Sequence, residues 1–398
     1  MNLSTQYATP ELLAPGGNLQ KLQVAFRCGA DAVYVGGTVF GLRKYADNFT
    51  DHELRVAVDM ANSIGRKVYV VLNGFAHDAD LTELVAHLNV LQTIQPHAFL
   101  VSDWGVAKAV RDYTSIPLHV STQASVTNIR AITEWIAIGA ERVVMAREVS
   151  IDDCKKIKEA LNVELELFIH GSMCASYSGK CVISNYSAGR DSNRGGCVQS
   201  CRHTYTIESD SGPVSSHIMN AKDLQGIRQI EACVLAGIDS LKIEGRMKSQ
   251  LYVANAVSTY RDAIDAVMAS IHTGTPITND QVFRFEDRLK SVSNRQFSAG
   301  GLSTRPDASS INREFGGYQK SVEIVATGRS MHHNRLLIEC KDVLCVGDAV
   351  MRLNDQSVTI THLFDCLHMP VDSTRPGGLF WMMSDSELAS TDIFVVPL

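Results

Sequence analysis

Short apolar runs rich in Val, Ile and Leu recur along the first two thirds of the chain. Each is followed by a stretch with apolar residues at three- and four-residue steps. The runs are ELLAPGG (11–17), AVYVGG (32–37), KVYVVLNG (67–74), AFLVSD (98–103), LHVSTQAS (118–125), RVVMARE (142–148), ELELFIHG (164–171) and SLKIEGR (240–246). Runs this short and apolar predict strands buried on both faces, and the amphipathic stretches between them predict covering helices. TDHE (50–53) and SIDD (150–153) open with a Thr or Ser N-cap and an acidic first turn, while Gly29, Gly65, Gly139 and Gly237 stand where helices should stop. Eight strand–helix units in succession predict an α/β chain folded as a (β/α)8, TIM-like barrel rather than a doubly wound sheet.

The seventh connection breaks the rhythm. About fifty residues separate His170 from a helix expected near Asp223, and a long irregular loop at a barrel mouth is usually functional. After the eighth helical pattern, SQLYVANAVSTYRDAIDAVMA, the register changes. From about Phe315 short alternating runs (KSVEIVATG, RLLIECKD, DAVMRLND, SVTITHLF, LFWMMSD, DIFVVPL) predict a small all-β barrel. The expected division is a barrel domain over 1–270 with a cysteine-rich insertion at 171–222, a linker and helix over 271–314, and a β-barrel domain over 315–398.

Composition is that of an ordinary globular chain, 45% apolar and 20% charged over 398 residues. No run approaches the roughly 18 apolar residues of a membrane span. The start, MNLSTQYATPELLAPGG, lacks the basic and apolar regions of a signal peptide, so a cytoplasmic protein with reduced thiols and no membrane partner is expected. The net charge of −6 is concentrated at the C-terminal end, where 331–398 hold 4 basic and 9 acidic residues. That acidic domain is a candidate surface for a protein partner. Gly171–His203 is locally basic, with Lys180, Arg190, Arg194 and Arg202 against Asp191.

The same segment holds four of the ten cysteines, Cys174, Cys181, Cys197 and Cys201, spaced Cys-x6-Cys-x15-Cys-x3-Cys. Clustered thiols in a reduced compartment point to metal or catalysis rather than disulfides. Soft thiolates select zinc or an iron–sulfur cluster. Spacing alone leaves both open: structural zinc favours tighter paired knuckles, and wider gaps suit a [4Fe–4S] cube. Gly171, Gly179, Gly195 and Gly196 let the backbone curl close to such a group. The other cysteines, Cys28, Cys154, Cys233, Cys340, Cys345 and Cys366, are scattered and read mostly as small core residues.

ELFIHGSMCASYSGKCVIS resembles the signature of peptidase family U32. The resemblance runs through ELLAPGGNLQKLQVAFRCGADAVYVGG, LHVSTQASVTN, NRGGCVQSCRHTY, IMNAKDL and SLKIEGRMKS. Within the family the chain most resembles the branch of prephenate-dependent tRNA uridine hydroxylases. That resemblance implies formation of 5-hydroxyuridine at the wobble position of tRNA without molecular oxygen, with prephenate as hydroxyl donor. It also implies a [4Fe–4S] cluster on Cys174, Cys181, Cys197 and Cys201. With four thiolates filling the usual ligand sites, an outer-sphere role for the cluster is expected. Relatives acting on ribosomal RNA cytidine or a quinone precursor share the barrel and cysteines. Only some fifteen residues, HTYTIESDSGPVSSH, stand where the branch commonly has a longer insertion. Readings from other classes are a peptidase, with His170 beside Cys174, and a non-enzymatic RNA-binding protein stapled by a metal.

Polar residues at strand C-termini converge on the mouth of such a barrel. The candidate catalytic set is Arg43, Asn73, Gln123, Arg147, His170, Glu244 and Arg246, with Asp103, Ser121 and Glu148 nearby; each also suits a structural hydrogen bond. Arg43, Arg147 and Arg246 are natural partners for the small dicarboxylate, since guanidinium meets carboxylate through two hydrogen bonds. Glu11 serves function or the barrel bottom, and His77 faces the pocket or caps a helix. Lys180, Arg190, Arg194 and Arg202 are candidate tRNA phosphate contacts. Tyr177, Tyr186 and Tyr205 are candidate stacking partners for an extruded base.

Overall fold

The computed structural model describes residues 7–41, 47–208, 210, 212–353, 356–390 and 392–397. Arg43 lies outside the described residues. The chain divides into two compact units, residues 1–287 with 294–318, and residues 288–293 with 319–398.

In the first unit eight parallel strands close into a barrel: β1 (Glu11–Gly16), β2 (Ala32–Gly36), β3 (Lys67–Leu72), β4 (Ala98–Val101), β5 (Leu118–Val120), β6 (Ala140–Val144), β7 (Glu164–Gly171) and β8 (Ser240–Ile243). Closure comes from β8, which pairs with β1 through Glu11↔Ser240 and with β7 through Ser240↔Glu166. Outer helices include α1 (Leu19–Arg27), α2 (Asp51–Ser63), α3 (Asp78–Ile94), α4 (Trp104–Tyr113), α5 (Ile129–Ala137), α6 (Ile151–Ala160), α7 (Ile230–Leu235) and α8 (Gln250–Thr273). Their starts are held as the sequence predicts. Thr50 and Glu53 form a reciprocal capping box, and the Ser150 hydroxyl accepts from the Asp153 amide at 3.2 Å. Gly29, Gly65, Gly139 and Gly237 follow helix ends at φ 101, 66, 93 and 72°, left-handed geometry that only glycine adopts without strain.

The lower barrel is filled by charge. Lys242 Nζ lies 2.8 Å from Glu166 Oε1, and the Arg142 guanidinium bridges Glu166 (3.2 Å), Glu164 (2.8 Å) and Glu11. Tyr69 donates to Glu11 at 2.7 Å. Glu11 is therefore a barrel-bottom charge. Burial alone would push the Glu166 carboxyl up; Lys242 and Arg142 outweigh it and hold the carboxyl down.

Two departures from the sequence pattern shape the mouth. Asp223–Gln225, expected near a helix start, is a short strand antiparallel to the end of β7 (Leu224↔Gly171, Gln225↔His170), and the helix begins at Ile230. The stretch read as linker and helix (271–314) is divided. After α9 (Asn279–Ser291) the chain returns to the barrel unit, where Phe297–Ser298 pairs with Asp223–Gln225. There the Leu302 carbonyl accepts from the Ile151 amide at 2.9 Å, and Asn220 donates to the carbonyls of Asn312 and Phe315. Backbone hydrogen bonds to distant partners, rather than an apolar period, hold this segment. No hydrophobic pattern announces it.

In the second unit β9 (Val322–His332), β10 (Arg335–Cys340), β11 (Ala349–Arg352), β12 (Ser357–Phe364), β13 (Leu379–Ser384) and β14 (Ile393–Pro397) form a closed antiparallel barrel in the order β9-β10-β13-β12-β11-β14, with β14 pairing back to β9. Leu336, Ile338, Cys340, Val358, Ile360, Met382 and Phe394 fill its core.

Candidate functional site

The insertion after β7 lies over the C-terminal ends of the barrel strands and is pinned there by close backbone contact. Gly179, at φ 72°, packs so tightly on β5's following turn that a Cβ would sit 2.0 Å from the Gln123 carbonyl oxygen. The Ser178 amide donates to Glu148 Oε1 at 3.0 Å, and the Arg147 amide donates to the Ser178 hydroxyl at 3.1 Å. On the opposite rim Arg194 donates to Asp80 (2.6 and 3.1 Å) and to the Phe75 carbonyl (2.7 Å), tying the loop to α3. The Arg194 guanidinium holds the Asp80 carboxyl down to about 2.

Within this frame the four cysteines carry free thiols. Burial pushes the Cys201 thiol up, and the neighbouring Cys174, Cys197 and Cys181 push it the same way against the Arg202 charge. The four sulfurs thus face one region. Among the described residues no three His, Cys, Asp or Glu side chains meet closely enough to ligate a single metal ion.

The mouth beneath brings several sequence-predicted residues together. Arg147 Nη2 lies 3.6 Å from Glu244 Oε2. The same guanidinium donates to the Ser172 carbonyl and covers the Phe168 ring at 4.1 Å. Asn73 donates to Ser121 at 3.1 Å, and its buried Oδ1 has no hydrogen-bond partner in the protein. Arg246, almost fully buried, donates to Asn48 at 2.7 Å and lies against Gly36, where a Cβ would collide with its guanidinium. Gln123 sits in the turn under Gly179. His170 is 1% exposed, ringed by Tyr252, Tyr260 and Phe297, and burial holds its imidazole down to about 3. His77 and Asp103 occupy the N-cap positions of α3 and α4.

The basic residues of the loop divide. Lys180 is exposed and Arg190 half-buried. Arg194 and Arg202 have their guanidinium groups engaged inside the protein, Arg202 with Asn220 Oδ1 (2.8 Å) and the carbonyls of Met173 (2.6 Å) and Ala221. Tyr177 and Tyr186 stand 64% and 89% exposed, whereas the Tyr205 hydroxyl donates to the Ser200 carbonyl.

Sequence reasoning missed Arg295, Tyr318 and Lys248. Arg295 donates to Gln199 at 2.9 Å and to Ser172 at 3.4 Å, joining both ends of the cysteine loop. Burial lowers its guanidinium and holds the Lys248 ammonium down to about 8. SLKIEGRMKS contained Lys248 in plain view, but SNRQFSAGG around Arg295 carried no periodic or motif signal.

The model of peptidase family U32 matches residues 17–312, most of the barrel unit and its capping segment. The chain belongs to this family. Among curated U32 relatives, tRNA hydroxylation protein P1 of Bacillus subtilis (strain 168) is 45% identical over 270 residues, 65% of this chain and 64% of the relative. The chain's match thus spans just under two thirds of that protein. tRNA hydroxylation protein P of Escherichia coli (strain K12) is 31% identical over 411 aligned positions, 89% of each chain. The 23S rRNA 5-hydroxycytidine C2501 synthase of the same organism is 36% identical over 65% of this chain and 40% of its own length.

Proposed function

We propose that this U32 barrel hydroxylates RNA, and that its substrate is a tRNA uridine, converted to 5-hydroxyuridine at the wobble position with prephenate as the hydroxyl donor. The observation that carries the reading is the placing of four free thiols over a polar barrel mouth, in a chain whose relatives are named for tRNA and rRNA hydroxylation. We assign a [4Fe–4S] cluster to Cys174, Cys181, Cys197 and Cys201. Thiols that feel one another's charge without meeting at a single point suit a polynuclear cluster, whose edges separate its ligands, better than one zinc ion. When bound, such a cluster supplies electron transfer or polarisation next to the substrate.

The chain's own residues supply the rest. Arg147, held between Glu244 and the Ser172 carbonyl, keeps a fixed positive charge at the mouth. Asn73 offers an unsatisfied buried carbonyl oxygen that can orient an N–H or O–H donor. Tyr177 and Tyr186 project from the loop as stacking surfaces for an extruded base, with Lys180 as a nearby cation for phosphate. Because tRNA is the substrate, the protein acts in the cytoplasm. Among the described residues no helix is long and apolar enough to cross a membrane.

Anaerobic purification followed by iron and zinc analysis tests the cofactor: about four irons per chain are expected, and one zinc per chain would sink it. Nucleoside mass spectrometry of RNA from a deletion strain tests the substrate. Loss of 5-hydroxyuridine derivatives from tRNA is expected. Loss of ribosomal 5-hydroxycytidine instead would transfer the reading to the rRNA reaction named for the third relative.

A further inference from the structure

Segment 294–318 and the turn after β8 bring Arg295, Tyr318 and Lys248 together beneath the cysteine loop. The exposed Tyr318 ring (42%) covers both cations, with Lys248 Nζ 3.7 Å and Arg295 Cζ 3.8 Å from its centroid. Arg295 is almost fully buried, yet its hydrogen-bond acceptors Gln199 and Ser172 are neutral and its guanidinium approaches Asp223 only to 3.8 Å. The buried Arg295 Nε has no hydrogen-bond partner in the protein. Arg202, which also acts on Lys248, donates to the neutral acceptors Asn220, Ala221 and Met173. The carboxylates that act on Lys248 are Asp223 and Glu244, and Glu244 also faces Arg147. Arg147, Arg202, Lys248 and Arg295 thus stand against Asp223 and Glu244, an excess of two positive charges in this group.

Such an excess is costly away from water. Contact with an aromatic ring returns only about 0.5–2 kcal/mol per cation and neutralises nothing. A dianion would neutralise it, and guanidinium beside ammonium is a donor set for paired oxyanions. We infer that Arg295 and Lys248, capped by Tyr318, form the binding site of a small dicarboxylate. The inference rests on the proposed hydroxylation only in identifying that dicarboxylate with the hydroxyl donor. It moves the donor's anchor from Arg43 and Arg246, where the sequence placed it with Arg147, to residues on the far side of the mouth.

The test is isothermal titration of the anaerobically purified, full-length protein with prephenate, inorganic phosphate and a short single-stranded RNA. Prephenate should bind the wild type and bind Arg295→Leu and Lys248→Gln at least about tenfold more weakly, a loss of about 1.4 kcal/mol. Lys248→Gln, at a half-buried position, serves if Arg295→Leu fails to fold. Absence of prephenate binding, or equal binding by wild type and Lys248→Gln, overturns the site. Binding of phosphate in place of prephenate, or RNA alone being weakened by the substitutions, overturns the ligand class. The titration needs no turnover. A protein that binds prephenate through Arg295 but leaves RNA unmodified in the cell keeps this site and loses the proposed function.

Discussion

Lys242 and Glu166 face each other inside the lower barrel at 2.8 Å, both shut off from water, with Arg142 on the other carboxylate oxygen. Removing one member of a buried pair leaves an uncompensated charge, which costs far more than removing both. Lys242→Met should therefore destabilise the barrel by about 3 kcal/mol in urea unfolding, and the double variant with Glu166→Leu should recover much of that loss. Lys248, at the upper end, behaves differently because it can lose its proton. Burial lowers its ammonium from 10.5 to about 8, amid Asp223, Arg295, Glu244 and Arg202. Below pH 8 both folded and unfolded chains carry the proton, and the native state bears the whole cost of burying it. Between about 8 and 10.5 the native state releases the proton first, so the unfolded chain binds more protons and stability rises with pH. The stability difference between wild type and Lys248→Met, measured by urea titration without ligand, should be flat below pH 8 and climb across that window. A flat difference throughout would place Lys248 in water.

At the scale of elements, the cysteine loop is positioned by points where another backbone comes too close for a side chain. Gly179→Ala combines a left-handed φ with a Cβ 2.0 Å from the Gln123 carbonyl oxygen. It should displace the loop and lower iron per chain several-fold, while far-UV circular dichroism keeps the barrel signal; unchanged iron content would show that the loop is anchored elsewhere. The sequence announced the eight strands because each is an apolar run, and it announced the helix ends because Thr50, Ser150 and the four glycines have local chemistry. It announced the four thiols by spacing. Arg295 and Tyr318 stayed invisible because their segment is held by single hydrogen bonds and stacking onto residues far away in sequence, which leave no periodic trace. His170 was legible as a strand-end residue, but its enclosure by Tyr252, Tyr260 and Phe297 depends on three separate elements.

At the scale of the whole molecule, two closed barrels with separate cores predict separate cooperative transitions. Ile338→Ala opens a cavity in the fully buried centre of the second unit and should cost that unit about 3 kcal/mol. In differential scanning calorimetry one transition should move and the other stay; a shift of both would show a single cooperative block. Local order explains which properties were readable from the chain alone. Strand and helix periods, caps and cysteine spacing are set by neighbours within a few residues, so they dictated a (β/α)8 barrel, a second β-barrel and a thiol-rich loop after the seventh strand. Charge compensation is a sum over side chains brought together from the whole fold. Only the tertiary structure could decide that Arg194 and Arg202 brace the loop, that Glu11 closes the barrel bottom, and that Lys248 and Arg295 share one tyrosine ring at the mouth.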